Sequence, residues 1–368
     1  MEIKTAINNV FLLLWLMMAP AWANDTFDMD AFRADYESYE TLATEERWVE
    51  SLNIAKRLYE QGLEVFGDES EEAAALSYNY AMNLIRTRKQ EDAVPVLEDT
   101  IDIYEAVFGK DAVELIEIYQ LLGDSYSVLS ESRKKARSYN AALEIVENHF
   151  GRESLNYAQL SFHTGTRLNI TTRSTRAERY LEEAHRIFEE LTGRDSSSTA
   201  YAAFELGRYY LGRGKAEESV DYFTKALAAF ETMEGPMPDL GLTTHAFLVQ
   251  VYSQLDQPDL ATQHSLAIGR LTPSAPDQEM NPIFTVAPQY PMELAMAGEQ
   301  GWARLEFDVN EDGTVSNIQA VDFEGGEAFE KSAIEAVKKF RFAPRFVDGE
   351  PVKVEGVQYV MRFELQLD

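Results

Sequence analysis

Between residues 45 and 270 the apolar positions fall into columns that recur every 42 residues, marked by glycines at 67, 109, 151, 193 and 235. Fourteen residues after the first four glycines stand Ala81, Gly123, Gly165 and Gly207, and three further on stand Leu84, Tyr126, Leu168 and Tyr210. At thirty come Leu97, Tyr139, Leu181 and Phe223; at thirty-three Thr100, Ala142, Ala184 and Ala226; at thirty-seven Tyr104, Val146, Phe188 and Phe230. The last three columns step by three and four, the spacing of one helix face. The small column predicts a helix crossing its neighbour closely, and each recurring glycine predicts the close of a second helix. A period of this length predicts an α-helical solenoid of two-helix units, each burying its apolar face against the next. His185 shares a column with Ile101, Leu143 and Leu227 and reads as a packed helix residue. The unit after Gly235 keeps Leu248, Val249 and Tyr252 in register and reads as a terminal cap.

After residue 282 the period changes. In "GWARLEFDVN" Ala303, Leu305, Phe307 and Val309 alternate with Trp302, Arg304, Glu306 and Asp308, a half-buried strand. "NEDG" (310–313) predicts a turn and "TVSNIQAV" the return strand of a hairpin. Phe329, Ala333, Ala336, Val337 and Phe340 then form one apolar helix face, and Lys338 and Lys339 fall in that helix's last turn. A second turn at Asp348-Gly349 leads to a final strand beginning near Val352, whose apolar row changes phase to Val357, Tyr359, Met361, Phe363 and Leu365. A bulge near Gly356 accounts for the change, because one extra residue moves every later side chain to the other face. With a short helix at 291–297, these elements predict a small α+β domain with a three-stranded antiparallel sheet and a helix on one face. The segment 271–281, with Pro273 and Pro276, reads as a linker.

The N-terminus bears on compartment. One lysine precedes the apolar run from Val10 to Ala19, and Ala21-Trp22-Ala23 fits a small-x-small cleavage site. Residues 1–23 therefore read as a signal peptide of an exported protein, with an uncleaved inner-membrane anchor as the alternative. The boundaries that follow are a helical-repeat domain over 24–270, the linker, and a C-terminal domain over 282–368.

Composition excludes several functions. The net charge is −30, which repels nucleic acid and anionic lipid surfaces and keeps the chain soluble. The basic stretch that stands out holds Lys338, Lys339, Arg341 and Arg345. Its aromatics have structural places, so it does not read as a nucleic-acid patch. There is no cysteine, and the five histidines form no metal-ligand motif. No nucleophile elbow or phosphate loop occurs, so the chain reads as a non-enzyme without cofactors.

"YQLLGDSY" (119–126) and "FELGRYY" (204–210) carry a Leu-Gly-x-x-Tyr core, and the region 45–270 resembles the tetratricopeptide repeat in a long, 42-residue form. The C-terminal domain resembles that of the TonB energy transducers. The resemblance rests on Gln289-Tyr290-Pro291, Gly298-x-x-Gly301, Asp312-Gly313, Phe329 and Phe340-Arg341-Phe342-x-Pro344, all in order. It implies a periplasmic protein that binds a short segment of an outer-membrane receptor by strand addition and takes part in energy-dependent transport across the outer membrane. The partner-binding residues it implies are Gln289, Tyr290, Pro291, Val357, Tyr359, Met361, Phe363 and Leu365. For Tyr290 a purely structural place under the sheet is the alternative. The repeats imply an unknown peptide or protein in their groove, and an inner-membrane motor becomes a partner if residues 10–19 stay as an anchor. A periplasmic scaffold that holds a partner with its repeats, without energy transduction, is the alternative function.

Overall fold

The small column is where the repeat is built. A Cβ placed on Gly123 would lie 2.6 Å from the Tyr139 ring, one on Gly207 2.6 Å from Phe223, and one on Gly165 2.7 Å from Leu181. The residue sixteen positions on is thus seated directly against the missing side chain. Tyr139, Leu181 and Phe223 are fully buried, as is Leu97, which follows Ala81 by the same sixteen positions. Close-packed interiors leave no room for a larger group at such a crossing.

The computed structural model describes residues 27–172, 175–233, 238–272 and 279–365. The 1–23 segment, most of the linker and Gly235 lie outside the described residues. Twelve helices precede the sheet domain among the described residues. They pair as α1 (Met29–Thr44) with α2 (Trp48–Phe66), α3 (Glu71–Arg86) with α4 (Gln90–Phe108), and α5 (Leu115–Val128) with α6 (Ser132–Phe150). Then come α7 (Leu155–Thr172) with α8 (Thr175–Thr192), α9 (Ser197–Gly212) with α10 (Ala216–Thr232), and α11 (Pro238–Gln254) with α12 (Pro258–Leu271). The α1–α2 pair adds a helix ahead of the periodic region, with Phe32, Tyr36 and Tyr39 buried against Leu58 and Leu76.

Gly67, Gly109 and Gly151 end α2, α4 and α6 as their C-caps, with φ between 80° and 92° and ψ near 160°. Only glycine occupies that region without strain. Three residues after Gly67 and Gly193, Ser70 and Ser196 cap α3 and α9 by accepting from the backbone N–H groups of Ala73 and Thr199. One four-residue stretch therefore stops a helix and starts the next.

The chain divides into two structural units, residues 1–187 and 188–368. The second contains α9 to α12 and the C-terminal sheet domain. That domain runs β1 (Pro282–Phe284), α13 (Met292–Ala297), β2 (Gly301–Val309), β3 (Val315–Glu324), α14 (Glu327–Val337), β4 (Arg341–Phe342), β5 (Arg345–Val347), β6 (Glu350–Val352) and β7 (Val354–Phe363). Its main sheet has the order β3-β2-β7, antiparallel throughout, and the short pairs β1-β4 and β5-β6 flank it. The strand expected to begin near Val352 is two strands, because Asp348-Gly349 closes the separate β5-β6 hairpin. Lys338 is the C-cap of α14 and Lys339 lies beyond it, so the two lysines flank the helix end and are not in its last turn. Ala303, Leu305, Phe307, Val309, Phe329, Ala333, Val337, Phe340, Phe342, Met361 and Phe363 form one buried core between sheet and helix.

This domain packs on the last repeat helix. Gly269 of α12 faces the Pro344 carbonyl and the Phe346 ring, and the Arg270 guanidinium lies 5.7 Å above that ring.

Candidate functional site

The sheet has two outer edges, and they are not alike. Along β3 the register with β2 slips twice, between Arg304 and Leu305 and between Glu306 and Asp308. Asn317, with φ at 53°, sits in the second irregular stretch. Bulges and such residues twist an edge away from regular pairing. By contrast, β7 from Val357 to Phe363 matches β2 residue for residue, from Phe307 to Gly301. Among the described residues β7 pairs on that one side only, so its other edge presents a regular row of main-chain donors and acceptors.

The bulge that precedes this edge is pinned. Phe307 stands opposite Val357 and Val309 opposite Val354, so β7 carries one extra residue there, and Gly356 supplies a φ of 71°. The Asp308 carboxylate holds the kink in place. It accepts from the Gly356 N–H at 3.3 Å and from the Asn317 amide at 2.6 Å, and pairs with the Lys353 ammonium at 2.7 Å. The Lys353 ammonium, then the Asn317 amide, hold the Asp308 carboxyl below the ordinary aspartate range, and Asp308 raises Lys353 in return.

The predicted site residues divide by role. Val357, Tyr359, Met361 and Phe363 form the inward row of β7, with Met361 and Phe363 in the core and Val357 and Tyr359 packed against it. They contribute a main-chain edge, while the side chains on the open face are those of Gln358, Val360 and Arg362. Leu365 follows the strand and is half-buried. Tyr290 is half-buried under the sheet, edge-on to Phe329 at 5.5 Å and to Phe363 at 5.8 Å, and its hydroxyl donates to the Glu299 carbonyl. Pro291 caps α13, and the Gln289 carbonyl accepts from Ser332 of α14 while its side chain is exposed. The motif thus ties the entry of the domain to the far end of β7. Among the described residues no side-chain hydrogen bond or ring contact brings it against the open edge.

A second basic stretch lies on α6. Arg133, Lys134, Lys135 and Arg137 fall within five residues, more densely basic than the 338–345 stretch. The bare count of charges along α6 would have found it.

Stacked helix pairs followed by a small helix-on-sheet domain with one regular open edge define the class of protein. Residues 286–365 match the family described as Gram-negative bacterial TonB protein C-terminal, and residues 168–232 match the tetratricopeptide repeat. Protein TonB of Vibrio cholerae serotype O1 is 32% identical over 81 residues, 22% of this chain and 33% of that protein; the chain therefore spans a third of the length of this curated relative. Among solved structures, the Pseudomonas aeruginosa TonB CTD shares 24% identity, covering 25% of this chain and 93% of that one with a TM-score of 0.23. BtubC (BKLC) from P. vanneervenii shares 18% identity, covering 67% and 97% of the two chains with a TM-score of 0.49. The chain thus combines tetratricopeptide-type repeats with a TonB-type C-terminal domain. Among the described residues no helix is long and apolar enough to cross a membrane.

Proposed function

We propose that this chain is a non-enzymatic periplasmic interaction protein that takes part in energy-dependent transport across the bacterial outer membrane. Its C-terminal domain binds an extended segment of an outer-membrane receptor, which adds as a strand to β7. Main-chain hydrogen bonds supply the affinity, and the side chains of Gln358, Val360 and Arg362 on the open face help to select the segment. The observation that carries this reading is the asymmetry of the sheet: β7 is regular along its unpaired edge, while β3 is irregular.

The chain has no native cysteine, so single-cysteine variants report cleanly. Under an added mild oxidant such as copper–phenanthroline, full-length protein with Val360→Cys is expected to form disulfides with cysteine-bearing peptides from the periplasmic segments of outer-membrane receptors of the same cell. Asp322→Cys on β3 is expected to give few. Equal capture by both variants, or by neither, contradicts the reading.

One observation also supports a scaffold role. The domain is seated on α12 through Gly269, Pro344 and Phe346, which suits a unit that presents its sheet in a fixed setting on the repeats. In that role, deleting residues 281–368 leaves the capture of a repeat-bound partner unchanged.

A further inference from the structure

The first unit holds a groove of about 560 Å³ between the second helices of two successive repeats. Arg133 and Arg137 line it from one face of α6, a single turn apart, and Arg176 lines it from the start of α8. Ala136, Ala141 and Leu168 give it an apolar floor, and Ser132 and Asn140 add polar groups. Among the described lining residues Glu144 is the one carboxylate.

This is unusual in a chain with 63 acidic and 33 basic residues. Elsewhere on the repeats many arginines are matched, Arg47 with Glu50, Arg57 with Asp35, Arg152 with Glu183, Arg186 with Glu153 and Arg194 with Glu189, all at 2.5 to 2.8 Å, while Arg86, Arg179 and Arg270 lie over aromatic rings. Arg133 and Arg137 have no ion pair among the described residues. Two exposed guanidinia left unmatched beside a cavity, where carboxylates are abundant, are a preformed receptor for anions. Guanidinium favours carboxylate and phosphate because its fork pairs with both oxygens.

The lining distinguishes between anions. A nucleic acid or an anionic bilayer carries many charges and meets the field of the whole molecule, which has a net charge of −30. A short peptide carries few charges, and screening over about 8 Å at physiological salt leaves the contact charges in control. A peptide also supplies apolar side chains for Ala136, Ala141 and Leu168, and amides for Ser132 and Asn140. We propose that this groove binds a short acidic peptide segment of a partner protein, with carboxylates paired to Arg133, Arg137 and Arg176. This proposal stands independently of the one for the β7 edge.

The test uses the full chain and a displayed library of random eight-residue peptides. Selection is run in parallel on the Arg133→Glu/Arg137→Glu variant and on Arg176→Glu. Arg133, Arg137 and Arg176 are exposed, so unchanged melting curves are expected to show that the variants fold. The expected result is enrichment of peptides with two or more Asp or Glu residues, affinity at least about tenfold weaker for the double variant, and weakening with added salt. The proposal is overturned if the enriched peptides are not acidic, if nothing is enriched, or if they bind wild type and variants equally. Arginine-dependent binding to phosphatidylglycerol vesicles without any acidic peptide would assign the groove to a lipid headgroup and overturn it as well.

Discussion

The repeats and the C-terminal sheet handle their backbone hydrogen bonds in opposite ways, and this decides how each can bind. In the helix pairs nearly every main-chain group is satisfied within its own helix, so a partner meets side chains only. The sheet leaves one regular strand edge unpaired, so a partner can meet the main chain itself. Side-chain surfaces recognise particular chemistry, whereas a strand edge accepts many sequences and takes its selectivity from the side chains beside it. A chain with both can hold one partner by charge and shape and another by strand pairing.

The two regions also depend on different local devices. The repeats need a small residue opposite a large one, and the sheet needs a pinned bulge. The largest effect is expected at the repeat crossing. Phe223→Ala empties a fully buried site and is expected to cost about 3–5 kcal/mol in urea unfolding. Gly207→Ala, which places a Cβ against that ring, is expected to cost about 1–3 kcal/mol. Pairing it with Phe223→Leu should recover much of the loss, since the repeat unit following Gly67 carries Ala81 and Leu97 in the same two columns. If the double variant is no better than the sum of the singles, the seating account of the column is wrong.

A smaller effect is expected in the sheet. Asp308→Ala removes the group that holds Gly356, Asn317 and Lys353. The melting temperature should fall and the Gly356 amide should exchange faster. Because the carboxyl titrates below its ordinary value, its contribution is present above about pH 4 and is lost as pH falls through the lower folded value. An Asp308→Ala protein that loses as much stability as wild type over that range would contradict this assignment.

The smallest effect belongs to the last repeat. His245 and His264 meet Nδ1 to Nδ1 at 2.8 Å, with Tyr252 stacked on His264 and Glu231 3.7 Å from His245. Burial lowers both, and the neighbouring imidazole adds to the shift of His264, to about 4. Below about pH 6.5 the unfolded chain takes up protons that the folded pair refuses, so stability should decline from there towards pH 4. Thermal unfolding at pH 7.5 and 5 checks this, and His264→Gln should reduce the difference.

Much of this fold was legible because it is periodic. Columns such as Ala81, Gly123, Gly165 and Gly207 repeat over four units, and the change of phase at Gly356 marks its bulge in the sequence. The partner of each small residue was not legible, because sixteen residues along the chain is a helix-to-helix contact and not a helix period. Nor was the contrast between the sheet edges. Both strands read as alternating runs, and the slips along β3 depend on backbone angles at residues such as Asn317. Among the candidate site residues, Val357, Tyr359, Met361 and Phe363 were legible as the apolar row of β7, and their side chains lie in the core or pack against it. The arginine groove escaped because Arg176 lies forty-three residues from Arg133 and only the α6–α8 packing brings them together.

The central claim is that β7, and not β3, is the edge that takes a partner strand. Amide hydrogen exchange on the full chain, with and without peptides from the periplasmic segments of outer-membrane receptors, tests it most directly. The account predicts new protection confined to residues 357–363, with 315–324 unchanged. Protection along 315–324, or none in either strand at saturating peptide, would contradict it.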